Sequence, residues 1–237
     1  MKKCFLLLLM AGLSLGKAFA QAADGDETQQ RSMVEKPSRD FLMLKFFYSG
    51  WSNLPDSIKT KGFGRGFAAS LSYDFPIKKS HFSFAAGLGI NVSNVYLDKQ
   101  VVNFKDTAAS SQIIFRPDNT GQYKKYKFTT AYLEMPLELR FFGNNKNRNK
   151  GFKAAIGANV GLNLGAHTKG NSSSGSSKIN EKQSTRRFMQ QWSFAPTARI
   201  GYGNFSLYGS YSLSTLFKDG SGPEIQPISF GICITGL

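Results

Sequence analysis

The feature that most constrains this chain is an alternation of apolar with small or polar residues, repeated in eight segments after residue 40. Successive side chains of a β-strand point to opposite faces, so a period of two predicts strands and excludes helices there. From Phe67 to Phe75, for example, large apolar residues recur at almost every second position. The eight predicted strands cover residues 41–49, 67–75, 82–93, 132–141, 152–164, 192–202, 206–213 and 228–235.

The composition of the second face separates a membrane barrel from a soluble sandwich. A soluble sandwich carries charged residues on its outer face. Here the second face consists mostly of Gly, Ala, Ser, Asn and Thr with isolated charges, which suits the cramped interior of a narrow barrel. The apolar face carries aromatic residues near the strand ends, as interfacial girdles require. They are Tyr48, Tyr73, Phe75, Phe82, Phe141, Phe152, Trp192 and Tyr202.

The connections between the predicted strands alternate in length. Short connections span 76–81, 143–151 and 203–204, whereas long ones span 51–62, 98–125, 167–189 and 214–225. Short turns on one side and long loops on the other are typical of outer-membrane barrels, which have both termini on the short-turn side. The sequence therefore predicts an all-β fold, an eight-stranded antiparallel up-and-down transmembrane β-barrel in a gram-negative outer membrane, with periplasmic termini.

The N-terminal region predicts export. Residues 1–20 combine Lys2 and Lys3, an apolar stretch and Ala18-Phe19-Ala20, the pattern of a cleaved signal peptide. Residues 21–40 are polar and lack periodicity, which predicts a flexible periplasmic segment before a barrel domain at 41–237. Cleavage leaves one cysteine, Cys233, so no disulfide can form within the mature chain.

The chain is strongly basic. Its formal charge is +15, and loss of Lys2, Lys3 and Lys17 with the signal peptide leaves +12. Export argues against a nucleic-acid partner, and the basic residues cluster in predicted loops such as 146–150. We therefore expect outer-membrane lipids and lipopolysaccharide phosphates as partners. A solvated basic rim without a specific partner is the alternative.

One strand resembles a known family. The segment Tyr132-Leu-Glu-Met-Pro-Leu-Glu-Leu-Arg-Phe-Phe142 is similar to the central strand of PorT-like outer-membrane β-barrel proteins, in which a Leu-x-x-Pro-x-x-Leu-Arg type strand follows a long loop. The Gly-rich segment 154–165, Arg199 to Gly203 and the strand ending at Leu237 fit the same pattern. The resemblance spans about residues 40–237 and implies an eight-stranded barrel; some members take part in type IX secretion.

Inward-facing ionisable residues are the candidate functional set. They are Lys45, Asp74, Glu134, Glu138, Arg140, Lys153 and Arg199. Charges in a narrow lumen must be paired or hydrated, and we expect Lys153 and Arg199 to neutralise the two glutamates. Because eight-stranded lumens are normally packed with side chains, a charged plug that fixes strand register is favoured over a conducting path.

Catalytic and metal-binding patterns are weak. His167 falls near the end of a predicted strand beside a serine-rich loop, but no acidic partner can be assigned to it, and His81 lies in a predicted turn. No metal-ligand spacing is present, and no cofactor or catalytic residue is predicted. We expect a non-enzymatic barrel with a structural or accessory role in an envelope complex, such as protein secretion. A surface adhesin or ligand-binding barrel that uses its long loops is the alternative, and a lipopolysaccharide-modifying enzyme is third.

Overall fold

The computed structural model describes residues 42–77, 80–102, 112–119, 123–144, 148, 150–172 and 180–236. The predicted signal peptide (1–20) and N-terminal segment (21–40) lie outside the described residues. Eight of the strands form the barrel: β1 (Leu42–Ser52), β2 (Arg65–Pro76), β3 (Phe82–Leu97), β6 (Tyr123–Phe142), β7 (Phe152–Ser172), β9 (Trp192–Tyr202), β10 (Phe205–Tyr211) and β11 (Gln226–Thr235). The described part of the chain contains no helix long and apolar enough to cross a membrane.

The barrel closes by antiparallel pairing of each strand with its neighbour in chain order. β1 pairs with β2 on one side and with β11 on the other, where Lys45 lies opposite Cys233. β6 and β7 form the longest pair, and β7 then pairs with β9. All eight predicted strands are present, so the predicted eight-stranded antiparallel barrel is confirmed. The prediction succeeds because strands with small residues on one face can close into a narrow barrel, in which every strand pairs with two neighbours.

The strands reach further toward the long-loop end than predicted. β6 begins at Tyr123 and β7 ends at Ser172, so both extend into segments predicted as loops. The added strand β8 (Asn180–Thr185) pairs with the far half of β7, and β4 (Gln100–Val102) pairs with β5 (Phe115–Pro117). Asn171, inside the predicted long connection 167–189, is therefore paired in a strand, opposite Asn180, whereas residues 173–179 lie outside the described residues.

An apolar belt surrounds the barrel. Large apolar residues on the outward face are 37–73 % exposed, which a water-soluble surface would not sustain around a whole domain. Aromatic rings mark the short-turn edge of this belt, where Phe82 and Phe152 pack near Phe141 with centroid distances of 5.3 and 6.3 Å. At the long-loop edge, Tyr48 lies 4.9 Å from both Phe63 and Phe230. Two aromatic girdles flanking an apolar belt are the surface of a membrane barrel.

Pro136 lies inside a central strand, where a proline favours a bulge or a bend, but it produces no bulge. Pro136 lies in regular register opposite Asn159 on β7, and on the β3 side pairing lapses only between Leu137 and Glu134. A proline lacks the N–H needed for a hydrogen bond to a neighbouring strand. Pro136 therefore interrupts pairing with β3 and leaves the register unchanged. The two register shifts of this strand pair lie nearer the long-loop end, between Tyr123 and Lys125 and between Ala131 and Tyr132. At the second of them, Gly165 on β7 has a φ of 151°.

Candidate functional site

A network of buried ion pairs fills the short-turn half of the lumen. Arg140 on β6 lies at its centre and is 1 % exposed. Its Nη1 donates to Asp74 Oδ1 at 2.8 Å and its Nε donates to Glu138 Oε2 at 2.8 Å. Arg199 on β9 donates to the same Glu138 oxygen at 2.9 Å. The network thus joins β2, β6 and β9 across the barrel.

A turn residue that sequence reasoning missed completes this network. Arg148 belongs to the basic run 146–150, which was expected to lie in a surface loop facing lipid phosphates or water, yet Arg148 is buried. Its Nη1 donates to Asp74 Oδ2 at 3.3 Å, and its guanidinium lies over the Phe142 ring at 4.8 Å. Asp74 therefore lies between two arginines. An arginine in a turn normally keeps its guanidinium in water. Here attraction to the carboxylate of Asp74 draws it inward, since an uncompensated buried charge is costly.

The predicted pairing of Lys153 with a glutamate is not what the structure shows. Lys153 Nζ donates to Thr235 Oγ1 at 3.3 Å and lies 5.7 Å from the Phe142 ring. Lys153 faces Phe142 in the β6–β7 register. Glu134 is eight positions away along β6, roughly 26 Å of strand, beyond the reach of a lysine. Arg199 does pair with a glutamate, as expected.

Glu134 lies outside this network, although its charge interacts at longer range with that of Lys45. Its two carboxylate oxygens accept hydrogen bonds from Asn91 Nδ2 at 2.7 Å and from Asn159 Nδ2 at 3.2 Å. Lys45, on the opposite wall, is buried with its Nζ 4.5 Å from the Tyr208 ring. The seven predicted residues therefore divide. Asp74, Glu138, Arg140 and Arg199 form one network, while Glu134, Lys45 and Lys153 are held by amides, an aromatic face and a hydroxyl.

A small polar cavity lies above the ion pairs. Its volume is about 50 Å³, and serines from several strands dominate its wall. A cavity of this size has room for a few water molecules and not for an organic ligand. Its lining includes Glu134 and Tyr132. Trp51 and Phe128 line it on the side of the long loops. The cavity is thus a small space suited to water.

The long connections fold into a cap with its own hydrophobic core. We define the cap as residues 53–64, 98–102, 112–119, 186–191 and 212–225. Its aromatic centre is Phe217 together with Trp51 on β1 and Phe128 on β6, with T-shaped contacts at centroid distances of 5.4 Å and 6.1 Å. The core is completed by buried apolar residues from the long connections and from the strand segments next to them, namely Ile58, Leu97, Val102, Ile113, Tyr126, Ala166, Phe188, Met189, Leu216 and Ile225.

Backbone hydrogen bonds join the segments of the cap. Ile113 N–H donates to the Ser221 carbonyl at 2.8 Å, and Lys218 N–H donates to the Phe188 carbonyl at 3.0 Å. The Tyr126 hydroxyl donates to the Val102 carbonyl at 2.6 Å, which ties the β4–β5 hairpin to β6. The long connections were expected as surface loops. They lack periodicity, but their apolar residues are numerous enough to bury one another over the barrel mouth.

The two histidines lie apart. His167 on β7 is half-buried, with Thr129 and Ser184 as its cross-strand neighbours. His81 was expected to be only solvated; it is exposed, but its Nδ1 lies 2.7 Å from the Phe142 carbonyl oxygen, so it helps close the end of β6. Among the described residues, no group of His, Cys, Asp and Glu has the arrangement of a metal site. Cys233 is buried against Met43 and Tyr208.

Residues 40–218 match the family described as outer membrane protein beta-barrel domain. This chain belongs to that family. Membership agrees with the closed barrel and its apolar belt, and it places the protein in the outer membrane. The narrower resemblance to PorT-like proteins remains a prediction.

Two crystal structures of Ail, the attachment invasion locus protein of Yersinia pestis, also match this member of the family. The structure in complex with the heparin analogue sucrose octasulfate shares 12 % identity at a TM-score of 0.41. The structure of Ail described without that analogue shares 14 % identity at a TM-score of 0.35. Each match covers 84 % of this chain and 97 % of the other. No curated protein sequence matches the chain.

Proposed function

We propose that this protein is a non-conducting, non-enzymatic outer-membrane barrel that serves as a binding scaffold for a protein partner through its cap. The observation that supports this most directly is the closure of the lumen at both ends. The Arg140 network fills the short-turn half, and the Phe128 core covers the long-loop mouth. A solute would have to break buried ion pairs and unfold the cap, so the useful surfaces are on the outside.

The cap surface has the character of a protein-binding surface. Its described residues include seven basic and five acidic side chains, so neither sign dominates; they are Lys59, Lys61, Lys99, Arg116, Arg186, Arg187 and Lys218, with Asp56, Asp98, Asp118, Asp219 and Glu224. Ile114 adds an apolar side chain that is 41 % exposed. Mixed charge around exposed apolar groups is typical of protein interfaces, whereas a polyanion needs a surface of one sign. Because the cap is already folded, binding costs little loop ordering.

The orientation follows from general barrel architecture. Long loops of outer-membrane barrels face the exterior and short turns face the periplasm. We therefore propose that both termini are periplasmic and that the cap lies outside the cell. The first candidate role is that of an accessory subunit of an envelope complex, and protein secretion of the type IX kind is one such complex in view of the PorT-like resemblance.

The second candidate role is that of an adhesin that binds a protein outside the cell. The size of the cap favours it, because the described residues at the other end of the barrel belong to short turns. Catalysis on lipopolysaccharide is third. The arrangement of His167 between Thr129 and Ser184 would support it only if purified protein hydrolysed lipid A and a His167→Ala variant did not.

The test uses substitutions on the cap of the full-length protein. Ile114→Asp and Lys218→Glu change exposed cap residues, and Lys150→Glu, exposed in a short turn, is the matched control. Cross-linking in intact cells followed by purification in mild detergent should yield an envelope partner that both cap variants lose and the control retains. Binding of whole cells to extracellular proteins, lost in the same variants, would instead establish the adhesin role. If neither kind of binding responds to the cap variants, the scaffold proposal is wrong.

A further inference from the structure

A groove opens on the outside of the barrel, next to the aromatic girdle at the long-loop edge. It has a volume of about 320 Å³, and its lining includes Lys61, Phe63, Arg65, Tyr96 and Lys125. We call it the girdle groove. The three cationic side chains are exposed, and the phenylalanine side chain is 58 % exposed. The girdle groove therefore offers positive charge and aromatic surface side by side.

The backbone that forms one wall of the girdle groove, residues 61–65, is held from both sides. On the β3 side, the Lys61 N–H donates to the Tyr96 carbonyl at 2.8 Å. On the β1 side, the Gly64 carbonyl accepts a hydrogen bond from the Ser49 N–H at 3.0 Å. The side chains of this wall therefore start from a fixed backbone, and a ligand that binds between them loses little free energy to loop ordering.

The strand register sets the height of the girdle groove. Arg65 lies opposite Tyr48, a member of the long-loop girdle, and Phe63 packs against the same tyrosine ring at a centroid distance of 4.9 Å. Across β3, this level corresponds to Thr129 on β6. Lys125 is four positions further along β6, roughly 10 Å higher at the usual strand tilt. The groove thus extends from the girdle into the layer that lipid headgroups occupy.

Positive charge exceeds negative charge in this part of the surface. Among the described residues that line the girdle groove, three are cationic and none is acidic. Asp98, beside the groove, forms an ion pair with Lys61 at 3.6 Å. Both members of this pair are partly exposed, so the pair contributes little stability and an anionic ligand can compete for the lysine. With Asp98 included, three cations face one acid.

These groups suit a phosphate that is carried by a lipid. A guanidinium can donate two parallel hydrogen bonds to one phosphate, and a lysine adds a second positive charge. A phosphate monoester carries nearly two negative charges at neutral pH, which fits two cations better than a diester with one charge does. The exposed ring of Phe63 offers an apolar contact where a headgroup meets its acyl chains. A phosphate ester free in water has no acyl chain to place there.

We propose that the girdle groove binds a phosphate monoester of lipid A, the anionic glycolipid of the outer leaflet. Arg65 binds two oxygens of the phosphate, Lys125 neutralises its second charge, and Phe63 contacts the apolar part of the lipid. The assignment rests on the orientation given under the proposed function, because the groove meets the outer leaflet only if the cap lies outside the cell.

The central experiment measures lipid binding to the full-length protein by native mass spectrometry. Lys125→Gln should bind lipid A about fivefold more weakly than the natural protein, and Arg65→Gln/Lys125→Gln at least tenfold more weakly, since each cation near an anionic lipid contributes a similar factor. Lys150→Gln makes the same substitution at an exposed residue of a short turn and is the matched control. It should bind lipid A as the natural protein does. Equal affinity of the double variant and the natural protein would overturn the assignment.

The chemistry of the ligand is tested with three further compounds. Lipid A without its phosphates should bind the natural protein no more tightly than intact lipid A binds the double variant. Phosphatidylglycerol, a phosphodiester, should bind more weakly than lipid A; equal affinity would show a general preference for anionic lipid and contradict the proposal. Glucosamine 6-phosphate in water should not displace lipid A. Full displacement would mean that the groove binds a soluble phosphate ester instead of a lipid.

Two controls separate failure of this site from failure of the scaffold proposal. Arg65 and Lys125 lie outside the cap, so the double variant should keep its unfolding midpoint in phosphatidylcholine nanodiscs and its partner binding through the cap. Labelling of a Lys218→Cys variant in intact cells tests the orientation. Labelling from outside together with unchanged lipid A affinity contradicts the groove assignment alone, whereas absence of outside labelling contradicts the orientation that both proposals share. Loss of the cap partner in the double variant would mean that the groove binds protein.

Discussion

Replacement of Arg140 by methionine should destabilise the barrel by about 3 kcal/mol. The side chain is buried and binds two carboxylates, Asp74 and Glu138, each at 2.8 Å. Removal of one partner of a buried ion pair usually costs about 3–5 kcal/mol because the other charge is left uncompensated. Here each carboxylate keeps a second arginine, Arg148 at 3.3 Å and Arg199 at 2.9 Å, which places the expected cost at the lower end.

The assay is unfolding of the purified protein in detergent or lipid, followed by the fluorescence of its two tryptophans and by the migration of unheated samples on gels. For a chain of this length, 3 kcal/mol corresponds to a drop of roughly 6–12 °C in the midpoint. Lys150→Met removes an exposed charge from the same end of the barrel and should change the midpoint by little.

A double variant tests whether the loss comes from uncompensated charge. Asp74→Asn added to Arg140→Met removes a partner whose ion pair with Arg140 is already broken, so the combined loss should be smaller than the sum of the two single losses. The double variant should not regain stability, because Arg148 loses its contact with Asp74. The coupling between the two substitutions should be about 1–3 kcal/mol. Unchanged heat resistance in Arg140→Met, or strictly additive losses in the double variant, would refute the reasoning that this network holds the lumen closed.

Other parts of the structure lead to four further predictions. Phe128→Ala should cost about 3–5 kcal/mol of cap stability and expose the cap to trypsin, whereas Ile114→Ala, at an exposed site, should not. Gly157→Ala should lower the unfolding midpoint because a Cβ there would collide with a backbone carbonyl of β6, while Gly209→Ala meets open space and should be neutral. In planar bilayers the natural protein should show no discrete conductance steps, and regular steps would contradict the closed lumen. Cys233 should react with a maleimide only after unfolding, because it is fully buried.

The sequence predicted the wall of the barrel well because period-two alternation is imposed on every residue of a strand that separates two environments. In β3, the outward Phe82, Phe84, Leu88 and Ile90 had to be apolar, and their inward neighbours had to be small. Turn lengths are equally direct, and the Gly203-Asn204 turn is where it was expected. The same alternation also identified Asp74, Glu138, Arg140 and Arg199 as inward-facing before any partner was known.

The sequence could not predict the parts of the structure in which strand alternation does not determine the direction of each side chain. Nothing in the run 146–150 distinguishes Arg148, which turns into the lumen, from Lys150, which is exposed. Only the position of Asp74 in three dimensions does. The cap core was missed for a similar reason. Adjacent apolar pairs in polar loops, such as Leu216-Phe217 and Phe188-Met189, were the available signal, because both members of each pair are buried.

The charges inside the barrel and those on its surface belong to different energetic classes. A buried guanidinium such as that of Arg140 must find its counter-charges within the protein as it folds, so its removal should cost stability in every lipid or detergent. An exposed cation such as Lys150 keeps access to water and ions, so its removal should change stability by little in any of them. An Arg140→Met variant that was as stable as Lys150→Met in every lipid and detergent would mean that the buried network contributes no more than surface charge does.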